Sequence, residues 1–308
     1  MNTNKPRKTV LITGSSTGIG RETAKLFQAK GWNVAATMRT PSKEKFFNTM
    51  ENVLLLELDV TKPETIQPAI EATIKKFGGI DVIVNNAGYG ATGPFEQTAE
   101  DHIQKQFDTN VFGPMRIIQA ILPHLREKKS GTIVNISSMG GRITFPLYSL
   151  YHGTKWALEG FTEGLQYELE EFNIQLRLVE PGAIRTDFYT RSADKINDEN
   201  LGVYKDFHDR TMPQMMAAGE KGLIPDKVAQ TVYKAATTWR KKLRWQAGPQ
   251  SKFLLFLRRV LPERFFYFLV KAATVNPPKG GHTGIEPTVK HEESPKESTP
   301  PDEQNPQS

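Results

Sequence analysis

Short apolar runs alternate with longer amphipathic stretches from Lys8 to Val179. The short runs are rich in β-branched residues, which predicts strands at Lys8–Thr13, Trp32–Thr37, Val53–Leu58, Asp81–Val84, Gly131–Ser137 and Gln175–Val179. The stretches between them predict helices at Arg21–Lys30, Glu64–Phe77, about Asp101–Glu127, and Tyr151–Phe172. Strands separated by helices pair in parallel through right-handed crossovers. The pattern therefore predicts an α/β fold, a doubly wound parallel sheet in three α/β/α layers.

Composition divides the chain into three parts. Residues 1–250 predict a single domain, residues 251–275 an aromatic-rich helical extension, and residues 276–308, rich in Pro, Glu, Ser and Lys, a disordered polar tail. Within the domain, Asp187–Pro225 has no clean period and contains Met212, Met215 and Met216. A loop of this length directly after a strand is typical of a lid over a ligand site.

Charge and cysteine content exclude several classes of protein. The 308 residues include no cysteine, which excludes a disulfide framework, a Cys-ligated metal and a thiol nucleophile; no metal site is predicted. The formal net charge of +6 suits an anionic cofactor or a membrane surface and does not by itself indicate nucleic-acid binding. No secretory or membrane-spanning segment is evident, so we expect a cytoplasmic protein.

One apolar segment, Lys252–Lys271, has two interpretations. Arg258, Arg259, Pro262 and Glu263 interrupt it, so it cannot cross a bilayer as one helix. It either forms a helix pair that docks on the body or on a second subunit, or lies peripherally in a membrane interface. The sequence leaves both interpretations open.

A glycine-rich turn follows the first predicted strand and precedes the first helix. It reads Thr13-Gly14-Ser15-Ser16-Thr17-Gly18-Ile19-Gly20. Glycines let a backbone approach a pyrophosphate, and the helix N-terminus adds amide donors and a favourable dipole. An ordinary strand-to-helix loop is the alternative, but the strand before the turn and the helix after it favour a Rossmann-like dinucleotide site.

The end of the second predicted strand indicates which dinucleotide. A carboxylate there would bind a free ribose 2′-hydroxyl, whereas a basic residue suits a 2′-phosphate. The strand is followed by Met38 and Arg39, with no acid before Glu44. Arg39 therefore predicts NADP(H), unless it is only a solvated loop residue. Asp59, after the third strand, is a candidate partner for the adenine amino group.

Tyr151 and Lys155 lie four residues apart, which places them on one face of a helix. A phenol has a reference pKa of about 10, and a nearby ammonium favours its ionised form. Such a tyrosine can exchange a proton with a carbonyl oxygen. Ser138, after the fifth strand, could hold the same oxygen. Tyr148 is the rival phenol, but no lysine follows it four residues later.

Taken together, these motifs resemble the short-chain dehydrogenase/reductase family, in its compact single-domain branch. The matching residues are the glycine turn, Asn85-Asn86-Ala87-Gly88, Asn110, Ser138, Tyr151-x-x-x-Lys155 and Pro181-Gly182. The stretch Lys155-Trp156-Ala157-Leu158-Glu159-Gly160 is similar to the 17β-hydroxysteroid dehydrogenase-like and retinol dehydrogenase-like groups.

The resemblance implies roles for particular residues. Ser138, Tyr151 and Lys155 would be catalytic, with Asn110 holding a water that connects Lys155 to solvent. The cofactor would lie against Gly14, Ser16, Thr17, Gly18, Ile19, Gly20, Arg39, Asp59, Asn86, Ala87, Gly88, Asn110, Tyr151, Lys155, Pro181, Gly182 and Thr186. Helix geometry turns the His152 side chain about 100° away from that of Tyr151, so His152 is expected to be structural. Homo-oligomerisation is also implied by the resemblance.

The expected function is an NADP(H)-dependent oxidoreductase that interconverts a carbonyl and an alcohol. Methionines and aromatics in the predicted lid (Phe188, Tyr189, Tyr204 and Phe207) favour a bulky apolar substrate such as a steroid, retinoid, fatty or aromatic carbonyl. The alternatives are a catalytically idle NADP(H)-binding sensor or scaffold, and a lipid-binding role centred on Lys252–Lys271.

Overall fold

The computed structural model describes residues 6–185, 193–196 and 200–276 of the chain. Thr186, Phe188 and Tyr189, and the predicted polar tail from residue 277 onward, lie outside the described residues. The described residues contain nine strands, in chain order β1 (Thr9–Ile12), β2 (Asn33–Met38), β3 (Val53–Glu57), β4 (Val82–Asn85), β5 (Gly90–Thr92), β6 (Gly131–Ile136), β7 (Ile174–Pro181), β8 (Ala193–Lys195) and β9 (Arg244–Ala247).

Seven of these strands form one parallel sheet in the order β3-β2-β1-β4-β6-β7-β9. The order reverses at β1 and β4, so the predicted doubly wound, Rossmann-like sheet is confirmed. The sequence-based prediction missed β9, which pairs in parallel with β7, Leu178 opposite Arg244. A separate two-stranded sheet pairs β5 with β8, Gly90 opposite Ala193.

The helices cover both faces of the large sheet. They are α1 (Gly18–Ala29), α2 (Pro63–Phe77), α3 (Glu100–Phe107), α4 (Gly113–Lys128), α5 (Ser149–Leu169), α6 (Lys205–Glu220), α7 (Pro225–Thr237), α8 (Pro249–Val260) and α9 (Glu263–Thr274). On one face the apolar core includes Phe27 of α1 and Val232 of α7. On the other face it includes residues of α2 and α4, such as Ile70 and Ile117.

Alternation along β1 explains how one strand serves both cores. Val10 and Ile12 pack with α1 and α7, whereas Leu11 packs with α2 and α4, and all three side chains are fully buried. Successive side chains of a strand point to opposite faces, and each fully buried aliphatic side chain contributes about 1.5–3 kcal/mol. A strand buried on both sides therefore reads as a continuous apolar run.

Two predicted segments differ from the structure. The long middle helix is interrupted by a π-helical turn at Asp108–Phe112, which separates α3 from α4. The predicted lid is not irregular throughout, because α6 occupies Lys205–Glu220. Pro213 interrupts the apolar spacing of α6, so the segment has no clear helical period in the sequence.

The chain after β9 forms α8 and α9. Leu255 of α8 and Phe266 of α9 are buried in a small core with Met139 and Ile143, which follow β6. Among the helices in the described ranges, none combines the length and the apolar character needed to traverse a bilayer.

Candidate active site

A cavity of about 1510 Å³ opens at the carboxyl ends of the sheet strands. Ligands of doubly wound sheets bind at this edge, where the strand order reverses. The predicted site residues that line the cavity are Gly14, Ser16, Thr17, Gly18, Ile19, Arg39, Asp59, Asn86, Ala87, Gly88, Ser138, Tyr151, Lys155, Pro181 and Gly182. Gly20 and Asn110 lie behind the cavity wall, and Thr186 lies outside the described residues.

The glycine turn exposes the N-terminus of α1 to the cavity. Gly14 and Gly18 have positive φ angles of 67° and 55°, which glycine adopts without strain. The N-cap residue Thr17 makes no side-chain capping bond, and the first turn of α1 carries no acidic residue. The terminal amides and the positive end of the helix dipole therefore face the cavity unopposed, which suits an anionic group such as a pyrophosphate.

Asn86 ties the glycine turn to the end of β4. Its Nδ2 donates to the carbonyls of Thr13 (2.9 Å) and Gly14 (3.1 Å). A Cβ at Gly20 would lie 2.3 Å from the Gly14 oxygen and 2.4 Å from Asn86 Nδ2. Gly20 is thus required by packing behind the turn, while Asn86 both shapes the turn and lines the cavity.

Cations lie at the end of the cavity beside β2. Arg39 is exposed directly after the strand, and Lys43 lines the same wall. Glu44, the next acid along the chain, also lines the cavity but is buried, and its Oε1 accepts from the Phe46 amide (2.7 Å) and lies 3.4 Å from Arg21 Nη2. The carboxylate is thereby occupied within the protein. This end of the cavity is chemically suited to a phosphate.

Asp59 lies on the adjacent wall, after β3. Its Oδ1 accepts hydrogen bonds from the amide and the hydroxyl of Thr61, at 3.0 Å and 2.8 Å. These bonds hold the carboxylate in a fixed orientation at the cavity wall.

Tyr151 and Lys155 lie on one face of α5 and both line the cavity. Lys155 Nζ is 5.8 Å from the centre of the Tyr151 ring and donates to the Ile136 carbonyl at 2.9 Å. Burial lowers the pKa of Lys155 to about 8, although the charge of Glu159 opposes this shift. The lysine is 7% exposed, so a positive charge on it acts on the phenol with little screening by water.

Ser138 begins the short turn after β6 and lines the same cavity. Its Oγ accepts a hydrogen bond from the Gly140 amide at 3.0 Å, which fixes the side chain. Tyr148 also lines the cavity, with its ring centre 6.4 Å from that of Tyr151. Their positions alone therefore do not show which phenol is the better candidate proton donor. Lys155 beside Tyr151 favours Tyr151.

His152 fastens the turn after Ser138 to α5. Its Nε2 accepts from the Phe145 amide at 3.0 Å, so Nδ1 carries the proton and donates to the Gly140 carbonyl, also at 3.0 Å. Burial lowers the pKa of this imidazole to about 4, and it is neutral at physiological pH. These contacts give His152 a structural role, as the sequence predicted.

Asn110 lies on the π-helical turn between α3 and α4. Its Nδ2 donates to the Tyr89 carbonyl (2.9 Å) and to Thr154 Oγ1 (3.1 Å), while its Oδ1 accepts from the Tyr89 amide (3.1 Å). Both amide hydrogens are thus used to join the segment after Gly88 to α5. A π-helical turn inside a helix is frequently found at a functional site.

A buried acid cluster behind Lys155 was not predicted from the sequence. Glu159 Oε2 accepts from Arg244 Nε at 2.9 Å, and Glu180 Oε2 accepts from Gln246 Nε2 at 2.6 Å. Burial and the charge of Glu180 together raise the pKa of Glu159 to about 7. The cluster unites α5, β7 and β9, so finding it requires the strand that the sequence analysis missed.

The apolar wall of the cavity was also missed. It combines Met215 of α6 with Leu254 and Leu257 of α8 and Phe266 and Val270 of α9. An apolar lid was predicted in the region of α6, but the segment after residue 250 was predicted to dock on the protein or on a membrane and not to line the active site. The aromatic content of residues 251–275 is the sequence feature that could have indicated an apolar wall there.

Comparison with known proteins places the chain in a family. A family model described as short chain dehydrogenase matches residues 8–197. An uncharacterised oxidoreductase of Schizosaccharomyces pombe is 38% identical over 230 residues, covering 74% of this chain and 96% of the relative. A 3-ketodihydrosphingosine reductase of Bacteroides thetaiotaomicron is 33% identical over 246 residues (80% and 89%), and a bovine (Bos taurus) retinol dehydrogenase 8 is 32% identical over 275 residues (84% and 88%).

Solved structures agree with this result. A short-chain dehydrogenase from Streptomyces avermitilis superimposes with a TM-score of 0.73 at 34% identity, covering 83% of this chain and 92% of that one. The enzyme ElxO with NADP bound gives a TM-score of 0.65 at 31% identity, covering 79% and 98%. With the doubly wound sheet and the glycine turn described above, these matches establish that the chain belongs to the short-chain dehydrogenase/reductase family of nicotinamide-dependent oxidoreductases.

Proposed function

We propose that this protein is an NADP(H)-dependent oxidoreductase that interconverts a carbonyl and an alcohol on a bulky apolar substrate. The observation that carries the proposal is the Tyr151–Lys155 pair, which lines the same cavity as the glycine turn and an apolar wall. A proton donor in that position can serve a carbonyl whose apolar remainder fills the rest of the space.

The cofactor would lie along the polar half of the cavity. Gly14, Ser16, Thr17, Gly18 and Ile19 would hold the pyrophosphate, with Gly20 supporting the turn from behind. Arg39 would bind the 2′-phosphate, because it is exposed beside β2 while Glu44 is held by Arg21. Asp59 would bind the adenine amino group, and Asn86, Ala87 and Gly88 would line the adenosine side. Pro181, Gly182 and Thr186 would approach the nicotinamide. The relative with NADP bound supports this cofactor.

The chain's own residues would handle the proton. The nicotinamide, when bound, supplies or accepts the hydride. The Tyr151 hydroxyl would donate a proton to the carbonyl oxygen during reduction and take it back during oxidation, while Ser138 holds the same oxygen. Lys155 would favour the phenolate through its charge and would hold the nicotinamide ribose.

Asn110 would connect this proton path to water. Both of its amide hydrogens are used by Tyr89 and Thr154, so a bound water would donate a hydrogen bond to an oxygen of Asn110. The π-helical turn presents this residue close to Lys155: a Cβ at Gly88 would lie 3.1 Å from Asn110 Oδ1 and 3.8 Å from Lys155 Nζ.

The substrate would be apolar, because Met215, Leu254, Leu257 and Phe266 line the open end of the cavity. Methionine adapts to irregular apolar shapes, which suits a bulky aliphatic or aromatic group. The relatives named as a 3-ketodihydrosphingosine reductase and a retinol dehydrogenase support this substrate class.

A panel of steroid, retinoid, fatty and aromatic carbonyls assayed with NADPH tests the proposal. We expect wild-type protein to oxidise NADPH with at least one of them, and Tyr151→Phe to lower kcat by about 10²–10⁴-fold. Tyr148→Phe is the matched control, since it removes the neighbouring phenol and should retain most of the activity. Full activity of Tyr151→Phe with intact folding would contradict the assignment. NADPH binding without turnover of any carbonyl or alcohol would instead favour a sensor or scaffold.

A further inference from the structure

The two helices after β9 have distinct inner and outer faces. Their inner face consists of Leu254, Leu257, Phe266 and Val270, which line the cavity or pack against the turn after β6. The same two helices are therefore both a wall of the site and part of the protein surface.

The outer face of α8 and α9 is apolar and exposed. We define it as Phe253 (61% exposed), Phe256 (60%), Val260 (53%), Phe265 (50%), Tyr267 (68%) and Phe268 (62%). None of these six residues lines the cavity. The three on α8 recur at intervals of three and four residues and so form one stripe. On α9 the rings of Phe265 and Phe268 stack with their centres 6.4 Å apart. The two helices therefore carry five exposed aromatic side chains, together with Val260.

The same two helices also carry cations. Lys252–Lys271 contains five basic residues and one acid, Glu263, which is paired with Arg258 at 3.0 Å. The other four cations, Lys252, Arg259, Arg264 and Lys271, are exposed. A second copy of the chain placed on this face by two-fold symmetry would bring these like charges together. An anionic surface would instead be attracted by them.

Aromatic and basic residues on the same helical surface fit one chemical environment well. Aromatic side chains favour the boundary between headgroups and acyl chains, and arginine or lysine beside them binds anionic headgroups. Each helix has 12 residues and is therefore about 18 Å long, which suits a helix lying along an interface.

We infer that the outer face of α8 and α9 docks the protein on an anionic lipid membrane, so that the cavity behind these helices receives its apolar substrate from the bilayer. The docking part rests on the outer face alone. The delivery part rests on the proposed function, because it requires an apolar carbonyl or alcohol as substrate.

Flotation with lipid vesicles tests the docking part. Full-length protein is mixed with phosphatidylcholine vesicles, or with vesicles containing about 30% phosphatidylserine, and centrifuged through a density gradient. We expect wild-type protein to float with the anionic vesicles and at least about tenfold less with the neutral ones. Wild-type protein that stays at the bottom with both kinds of vesicle overturns the inference.

Paired variants locate the docking surface. Phe256→Glu combined with Phe268→Glu should abolish flotation, and Arg259→Gln combined with Arg264→Gln should weaken it by about tenfold without introducing a buried defect. The matched control is Phe95→Glu combined with Trp239→Glu, which changes two other exposed aromatics (57% and 85% exposed) and should float like wild type. Equal flotation of all variants overturns the inference. Failure to float together with a smaller oligomer for the Phe256/Phe268 variant assigns the face to a second copy and also overturns it.

Two substrates separate delivery from catalysis. For the Phe256/Phe268 variant we expect slower reduction of a long-chain ketone embedded in anionic vesicles and an unchanged rate with a short water-soluble ketone. An equal loss with both ketones overturns the delivery part. If wild-type protein reduces neither, the proposed function fails, while the flotation result still decides whether the membrane surface exists.

Discussion

Lys155 donates a hydrogen bond from Nζ to the main-chain carbonyl of Ile136, the last residue of β6, at 2.9 Å. This bond joins α5 to the central sheet and holds the ammonium 5.8 Å from the centre of the Tyr151 ring. A charged side chain is thus kept almost fully buried at the cavity wall. Such an arrangement costs stability and is expected where the charge has a function.

Replacing Lys155 should therefore lower the activity of the protein without lowering its stability. Lys155→Met removes the charge beside the phenol and the contact proposed between Lys155 and the nicotinamide ribose, so we expect kcat to fall by about 10²-fold or more and the KM for NADPH to rise. Burial lowers the lysine pKa from 10.5 to about 8, which corresponds to a cost of up to about 3 kcal/mol near neutral pH, partly offset by the bond to Ile136. Thermal unfolding should show the variant to be no less stable than wild type.

The pH dependence supplies a second readout for the same variant. The folded pKa of Lys155 lies below its unfolded value, so the folded protein binds fewer protons between about pH 8 and 10.5 and the cost disappears as pH rises through that window. Any gain in stability of Lys155→Met over wild type should therefore decrease as pH rises from about 8 to 10.5. A variant that is clearly less stable than wild type at pH 7, or fully active, would contradict this account.

Arg39 should determine the choice between the two nicotinamide dinucleotides. We expect Arg39→Ala to raise the KM for NADPH by about tenfold to a hundredfold, the value of one charge-assisted hydrogen bond, and to leave NADH kinetics nearly unchanged. Steady-state kinetics with both cofactors measure this. Lys45→Ala is the control, since Lys45 is an exposed cation of the same loop that does not line the cavity. A wild-type preference for NADH would show that the phosphate assignment is wrong.

Gly20 should not tolerate even one methyl group. In Gly20→Ala the new Cβ would lie within 2.4 Å of both the Gly14 oxygen and Asn86 Nδ2, so the glycine turn must shift. We expect loss of NADPH binding in fluorescence titration and a lower melting temperature. Gly160→Ala on α5 is the matched control: nothing lies within 4 Å of its Cβ, and the helix should gain about 0.5–1 kcal/mol. Normal NADPH affinity in Gly20→Ala would rule out the close packing described for the turn.

Glu159 should make stability fall as pH rises. Its folded pKa of about 7 lies above the unfolded value of 4.5, so the folded protein binds more protons between these pH values and loses stability as Glu159 ionises. Glu159→Gln does not titrate, and we expect its free energy of unfolding to increase relative to wild type by about 1–3 kcal/mol between pH 4.5 and pH 7.5. Urea denaturation at several pH values measures this difference.

Glu163→Gln is the control for that series. Glu163 binds the same Arg244 at 2.6 Å but is exposed, and its pKa is lowered by the hydrogen bond to this arginine. The stability that ionised Glu163 contributes is lost as pH falls. The free energy of unfolding of Glu163→Gln should therefore not increase relative to wild type as pH rises. The same trend in both variants would show that Arg244, rather than the burial of Glu159, governs the effect.

The sequence predicted the sheet well because its strands are buried on both faces. Runs such as Val10-Leu11-Ile12 are apolar throughout and end at glycines or polar residues, which leaves little ambiguity. β9 was not predicted from the sequence, because it lies at the sheet edge and alternates half-buried Arg244 and Gln246 with buried Trp245 and Ala247. A strand of four residues with that composition has no strong local signature.

The polar half of the site was predicted more completely than the apolar half. The glycine turn and the Tyr151–Lys155 pair lie in short local motifs whose spacing carries the chemistry. The apolar wall joins α6 with α8 and α9, which come together only in the folded chain. The acid cluster around Glu159 is also tertiary, since its partners lie on β7 and β9.

The inner face of α8 and α9 has a consequence for the order in which the chain becomes functional during synthesis. All seven strands of the large sheet precede α8 and α9 in the chain. The part of the cavity wall that these two helices form is therefore translated after the sheet. A nascent chain can therefore form the part of the cavity beside the glycine turn, where we propose that the dinucleotide binds, before the apolar wall is complete. Ribosome-bound intermediates of this protein should bind the nucleotide first and acquire selectivity for the second reactant only when the final helices emerge.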